Sequence, residues 1–457
     1  MIHHAIVRII TLGGPLLAGN LSTYLMKTVD LAMLGRLGTE TLAAAGIATL
    51  AMGILYTLVW PVSLGVQALA SRRYGRQVTE GDTPARIAET GWVLSNGALA
   101  GWITTSIALI LSIGVDPVLR VLLADATLVD LAMEYVRVLR WSIPIITVGM
   151  AHRGFMSAVN RTGIVMVATV IGNVLNVALN YAFIFGNLGA PALGIAGAAL
   201  GTLISEALMT LLFVAYGQIA PDLRRYRLLR FAHVRRKTIL DILRVIVPPA
   251  VQNVAALSIF LTYQTLIGRL GTGYLAVTSL LFAVFRINKT LVGGFAQGAS
   301  ILVGNRLGAA DREGARTVIL AQETIALVVA TVIAGVLLSV PEGVLALFSV
   351  EAALVPLGVQ ALFFFTAFFF IEVLGYSFEI IFSHNGWGKL VLASEFVTNI
   401  VFILGWTIVA VWVLDWGIYG AWSGFAIYQV AHATILLGGF LSGRWQQVEV
   451  EGDVQTV

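Results

Sequence analysis

The chain has 457 residues, of which 58% are hydrophobic and 11% charged, with a formal net charge of +4. So much apolar surface cannot be hidden in a water-soluble fold, so the composition excludes a soluble globular protein and points to a polytopic membrane protein. The excess positive charge sits mainly in alternate loops and gives no ground for nucleic-acid binding, and the absence of cysteine excludes disulfides and thiolate metal sites.

Runs of about 20 or more mostly apolar residues, enough to cross roughly 30 Å of hydrocarbon as helix, recur along the whole chain. Backbone groups in lipid must be satisfied internally, and these runs are too long for barrel strands, so the expected fold class is all-α. In chain order the spans are expected at 9–34, 42–69, 88–113, 130–157, 164–186, 194–218, 240–268, 274–303, 315–339, 353–384, 389–413 and 417–441, twelve in all. Several run past 25 residues, which implies tilt or helix continuing into the headgroups. Pro61, Pro144 and Pro248 mark expected kinks. The first apolar run is too long for a cleavable signal peptide and is expected to stay in the mature protein.

Lys and Arg gather in one set of alternate loops: Arg72, Arg73, Arg76 and Arg86 after the second span, the stretch from Arg224 to Lys237 after the sixth, and Arg306, Arg312 and Arg316 after the eighth. The opposite loops hold Arg36, Arg120 and Arg269. The positive-inside rule then puts both termini in the cytoplasm.

The chain also repeats itself. A shift of 233 residues lays GRLGTETLA (35–43) on GRLGTGYLA (268–276), Pro15 on Pro248, Asn20 on Asn253, and Gly65, Arg73 and Gly75 on Gly298, Arg306 and Gly308. Farther on the shift becomes 223, where GIAGAALG (194–201) matches GIYGAWSG (417–424). Six spans per copy is an even number, so both copies enter the membrane in the same direction, related by a pseudo-two-fold axis along the membrane normal. The expected organisation is an N-terminal six-helix lobe at 1–219, a basic cytoplasmic linker at 220–237, a C-terminal six-helix lobe at 238–441 and a cytoplasmic tail at 442–457. Two parallel bundles of this kind form the architecture of a carrier with a central cavity.

The opening PLLAGNLSTYLMKTVDLAMLGRLG, the SLGVQALASRRYGR that ends the second span, the NVLNVALNYAFIFG of the fifth and the GIAGAALGT of the sixth resemble the multidrug and toxic compound extrusion (MATE) family of bacterial type, over nearly the whole chain. The resemblance implies twelve helices in two lobes forming a V in the cytoplasmic (inner) membrane. It implies secondary active export, by alternating access, of amphipathic, typically cationic, drugs or metabolites in exchange for H⁺ or Na⁺. It further implies a transporter rather than an enzyme, functional as a monomer among membrane lipids, with no cofactor beyond the coupling ion. The chain shows no P-loop for direct ATP drive.

Asp30 is the residue on which this reading turns. A carboxylate inside an apolar span is costly unless paired, hydrated or bound to a cation. In the family an aspartate at this position of the first helix is the principal coupling residue, and Asn176, Asn180 and Thr202 match positions that help form a cation site, so the resemblance implies coupling at Asp30, Asn176, Asn180 and Thr202. Asn176 and Asn180, four apart, share a helix face. Oxygen ligands suit Na⁺ at Asp30, Asn176 and Asn180, whereas a carboxyl removed from water suits H⁺; the residues leave both ions open. Lys27, three residues before Asp30, is on the same face and either pairs with it or tunes it. One repeat later the equivalent of Asp30 is Tyr263, which concentrates coupling in the first lobe.

The second lobe carries Glu372 and Glu379, two turns apart on one face of span ten, with Arg286 and Lys289 of span eight as expected partners. Glu206 and Glu395 read as interfacial or paired. Left unneutralised, Arg286 and Lys289 point instead to export of organic anions. A lipid-linked substrate flippase with the same topology is a further alternative. FFFTAFFF (363–370) reads as lipid-facing or packing surface, with one or two rings at most reaching a cavity. Trp412, Trp416 and Trp445 read as interfacial anchors, His3 and His4 as solvated, and His152, His384 and His432 as scattered without zinc-motif spacing.

Overall fold

A computed structural model describes residues 2–348 and 351–450. The described residues form helices and turns and no strand, so the chain is all-α.

The first span is α1 (Ile2–Gly35), which at about 1.5 Å per residue is far longer than the hydrocarbon is thick. The second consists of α2 (Thr39–Tyr56) and α3 (Val62–Glu80), with Pro61 directly before α3 at the break. Then come α4 (Pro84–Ile113), started by Thr83 as side-chain cap and by Pro84, and the short α5 (Val115–Leu122). The fourth span is divided into α6 (Ala126–Leu139) and α7 (Ser142–Ala158). Pro144 lies in the first turn of α7, where a missing N–H costs no helical hydrogen bond. The fifth and sixth spans are α8 (Thr162–Phe185) and α9 (Gly194–Ile219), followed by the single turn α10 (Pro221–Arg224).

In the second copy, α11 (Arg236–Leu270) runs unbroken through Pro248 and Pro249. Next are α12 (Thr272–Gly308), α13 (Arg312–Ser339) and the short α14 (Pro341–Leu347). α15 (Val355–Thr366) and α16 (Phe369–His384) form one span bent by 55°. α17 (Gly388–Thr398) widens into π-helical turns at Asn399–Trp406 and Val409–Val413, and α18 (Gly417–Leu441) closes the series. Among the described residues ten helices are long and apolar enough to cross a membrane, and the bent pair makes an eleventh span. The pair α6 and α7, each under 18 residues, covers the twelfth expected position.

Close contacts divide the chain into two compact units. One comprises the residues up to Leu17, Val251–Val303 and Asp311–Glu449; the other comprises Ala18–Ala250 and Gly304–Ala310. The sequence pattern placed the lobe boundaries at 219 and 238, whereas the units change over inside α1 and α11. Those changeovers, after Leu17 and after Ala250, are separated by the 233-residue period of the repeat, and each follows a proline, Pro15 and Pro248. Each unit has its own core. In the unit containing α8 the core includes Ala44, Ala48, Met52, Val129, Val136 and Ile143. In the other, Trp422, Tyr263, Phe285, Phe365 and Phe369 form an aromatic centre.

The basic stretch 220–237 is docked rather than loose. Tyr226 is buried against Phe155, His233 stacks on Trp92 at 3.9 Å between ring centroids, and Asn96 accepts from the Arg235 amide at 2.8 Å. Trp445 departs from the reading as an interfacial anchor: it is 3% exposed, donates to the Phe440 carbonyl and stacks on the Phe440 ring. Trp412 and Trp416 are exposed. Of the Phe run, Phe363 and Phe370 are exposed, while Phe365 and Phe369 pack against Phe285.

Candidate functional site

Asp30 lies on α1, five residues before the helix ends at Gly35, and is partly buried. The Asn180 amide nitrogen on α8 donates to Asp30 Oδ1 at 2.8 Å and to Asn176 Oδ1 at 3.2 Å. One turn back, the Asn176 amide faces the hydroxyls of Thr202 and Ser205 on α9 at 3.1 and 3.2 Å. Turning that amide about its bond puts its nitrogen 3.0 Å from Asp30 Oδ1 and its oxygen toward the two hydroxyls. Asp30, Asn176, Asn180 and Thr202 therefore come together, because the i, i+4 spacing on α8 turns both amides toward α1 and α9.

Two residues missing from the sequence reading complete the cluster. Ser205 is buried beside Asn176, and Tyr135 on α6 is close enough to Asp30 and Thr202 to interact with them electrostatically. Ser205 is one turn beyond Thr202, a spacing that was a usable signal; Tyr135 is joined to the site only through the packing of α6 on α9.

The Gly-rich start of α9 sets how closely this can assemble. A Cβ on Gly201 would lie 2.1 Å from Asn180 Oδ1, and one on Gly197 would lie 2.3 Å from the Phe183 carbonyl oxygen. The two glycines thus permit α8 and α9 to touch, and Gly201 leaves the space in which the Asn180 amide sits.

Lys27 Nζ lies 5.7 Å from the centre of the Trp60 ring, and its charge acts on both Asp30 and Glu206. Glu206 shares α9 with Thr202, and its Oε2 is buried without a hydrogen bond among the described residues.

A second polar cluster occupies the unit containing α16. Glu372, in the first turn of α16 and 1% exposed, accepts from Asn288 Nδ2 at 3.1 Å and lies 3.9 Å from Lys289 Nζ. Lys289 also sits over the Tyr376 ring at 5.0 Å. Of the two expected cationic partners, Lys289 meets Glu372. The Arg286 side chain is exposed and makes no ion pair or hydrogen bond among the described residues. Glu379 accepts from Gln252 at 2.8 Å. Glu395 is buried rather than interfacial and accepts from Tyr428 and Asn399, each at 3.0 Å.

Beside this cluster lies a cavity of about 260 Å³ whose walls include Arg286, Lys289, Glu372, Glu395, Phe282 and Phe285. The internal repeat explains its other walls. Shifts of 233 and 223 residues carry Asp30, Asn176, Asn180, Thr202 and Ser205 onto Tyr263, Asn399, Ile403, Phe425 and Tyr428, and all five line the cavity. One location in the repeat has thus become a compact polar cluster in the first copy and an aromatic cavity in the second.

The model of the MatE family matches residues 15–182 and 248–407. The chain is 31% identical over 303 residues to probable multidrug resistance protein NorM of Pseudomonas aeruginosa, covering 66% of this chain and 60% of that protein. It is 28% identical over 306 residues to probable multidrug resistance protein NorM of Agrobacterium fabrum, covering 66% and 63%. The match thus spans somewhat less than two thirds of these relatives' length. Its fold is similar to the outward-facing conformation of a multidrug resistance MATE family transporter of the MOP superfamily, with a TM-score of 0.85 and 22% identity, over 98% of this chain and 97% of that one.

Proposed function

Because the chain belongs to the MatE family, an integral membrane transporter family, we propose that it exports amphipathic, mainly cationic, drugs or metabolites across the inner membrane by alternating access, in exchange for an ion that binds at Asp30. The observation that carries this reading is the Asp30 carboxylate held by Asn180 and surrounded by Asn176, Thr202 and Ser205. An intramembrane carboxylate in such a setting is a candidate for binding a cation during the working cycle. The ion this favours is H⁺. Asp30 is the one carboxylate of the cluster, since Asn180 adds no second negative charge beside it, and a lone carboxyl partly removed from water suits H⁺. Asn176 and Asn180 then position Asp30, and Lys27 tunes its charge.

In this reading both termini face the cytoplasm, in keeping with the distribution of Lys and Arg, and one chain is the working unit. Efflux of an ethidium-like cation from proteoliposomes under an imposed pH or Na⁺ gradient tests it. Efflux driven by the pH gradient alone supports H⁺ exchange; efflux driven only by Na⁺ replaces H⁺ with Na⁺; no gradient-driven efflux of any amphipathic dye refutes the reading.

A second reading concerns substrate charge. Arg286 lines the cavity without a partner among the described residues, and a guanidinium beside aromatic rings suits an organic anion. Transport of an anionic dye but not of the cation in the same vesicles selects this alternative.

A further inference from the structure

Glu379 on α16, Glu395 on α17 and His432 on α18 are 16 or more residues apart in sequence, yet each offers one ligand atom within 4.8 Å of the others. His432 is 3% exposed. Its Nδ1 is held by Ser394 Oγ at 2.9 Å, while its Nε2 is buried, makes no hydrogen bond among the described residues, and lies 3.9 Å from Glu379 Oε2. With the ring proton on Nδ1 donated to Ser394, Nε2 presents a bare lone pair to a carboxylate oxygen. With the proton on Nε2, the separation is too long for a hydrogen bond. Each tautomer leaves the gap unbridged by the protein itself.

The surroundings orient the ligand groups. Gln252 fixes Glu379 Oε1, Tyr428 and Asn399 fix the two oxygens of Glu395, and Ser394 fixes the imidazole. Such outer partners set the tautomer and direction of metal-binding side chains. The local charge agrees. Lys289 is an ammonium whose charge acts on Glu372, Glu379 and Glu395 together, so the carboxylates near the imidazole outnumber the ammonium beside them. Buried charge left uncompensated is costly. An imidazole and two carboxylates suit a first-row transition metal, and two ligand atoms of one such ion, bound at about 2.0–2.2 Å each, sit roughly 3–4 Å apart.

We propose that Glu379, Glu395 and His432 bind a divalent first-row transition-metal cation such as Zn²⁺ or Co²⁺. The site is separate from Asp30 and does not depend on which ion drives export. It makes the junction of α16, α17 and α18 a metal-bridged element beside the aromatic cavity, since Glu395 is shared by both.

Purified full-length protein carrying no histidine tag, stripped with chelator and titrated with Co²⁺ alone, provides the test. The expected result is one equivalent per chain with a visible d–d band displaced by Zn²⁺, with affinity at least about tenfold weaker in His432→Ala and in Glu395→Gln. Asp30→Asn is expected to bind as wild type does. Glu379→Gln, which keeps size and a hydrogen-bond partner for Gln252, serves if either of the other variants elutes as aggregate. Absence of binding overturns the proposal, as does binding that persists unchanged in folded variants.

Discussion

The Asn180 side-chain nitrogen donates to Asp30 Oδ1 at 2.8 Å, tying α8 to α1 at the polar cluster. A hydrogen bond to a charged group contributes about 1.5–3 kcal/mol, which corresponds to roughly ten- to a hundredfold in an equilibrium constant. Asn180→Leu keeps the approximate volume and removes the donor. The half-saturating concentration of the coupling ion is expected to move by at least about tenfold, with normal expression and elution. An unchanged ion dependence would separate Asn180 from coupling.

Gly201 and Gly197 are one turn apart on α9 but guard different things. A methyl on Gly201 meets the end of the Asn180 side chain, whereas one on Gly197 meets the α8 backbone at Phe183. Gly201→Ala is therefore expected to leave a folded protein whose ion dependence is shifted like that of Asn180→Leu. Gly197→Ala is expected to force α8 and α9 apart and to lower stability by about 1–3 kcal/mol. Thermal unfolding and efflux measured on both variants check this, and equal behaviour of the two would contradict it.

Outside the membrane-spanning helices, Gln77 and Arg225 donate to Asp82 at 2.8 and 2.6 Å, fastening the basic linker to the turn after α3. These hydrogen bonds, that of Gln77 foremost, hold the Asp82 carboxyl below its usual value. A depressed carboxylate contributes stability above its unfolded value, about 3.9, and loses it as the pH falls through the folded one. Linker amide protection is thus expected to drop below about pH 4, and Asp82→Asn to abolish that pH dependence. The group is largely exposed, so the effect should stay within about 1 kcal/mol. Hydrogen exchange across residues 220–237 at pH 7 and in acid measures it.

Arg286 borders the aromatic cavity alongside Phe282 and Phe285. If the exported compounds are cationic, Arg286→Gln removes a repulsive charge and is expected to raise apparent affinity for a cationic dye several-fold. A loss of transport confined to anionic dyes would assign Arg286 to anion recognition.

The features that were legible in the sequence are those written in local spacing. Apolar runs marked the helices, the 233-residue period marked the duplication, and the four-residue step from Asn176 to Asn180 aimed two amides one way. The resemblance then singled out Asp30. What could not be read is what packing alone decides. His432 looked scattered because its neighbours Glu379 and Glu395 come from two other helices. Glu395 reads in sequence as interfacial or paired, and nothing local announces that Tyr428 is its partner, while Trp445 lies near a span end in sequence and folds back on Phe440. The five cavity-lining equivalents of the Asp30 cluster needed both the repeat offset and the cavity walls to be seen together.

The most direct measurement is efflux of a cationic substrate from proteoliposomes under an imposed pH gradient, wild type beside Asp30→Asn. The account predicts that wild type is driven by the gradient and that the variant, which keeps a side chain able to hydrogen-bond with Asn180, binds substrate but shows no gradient-driven efflux. Gradient-driven efflux by Asp30→Asn at the wild-type rate would contradict the assignment of coupling to Asp30.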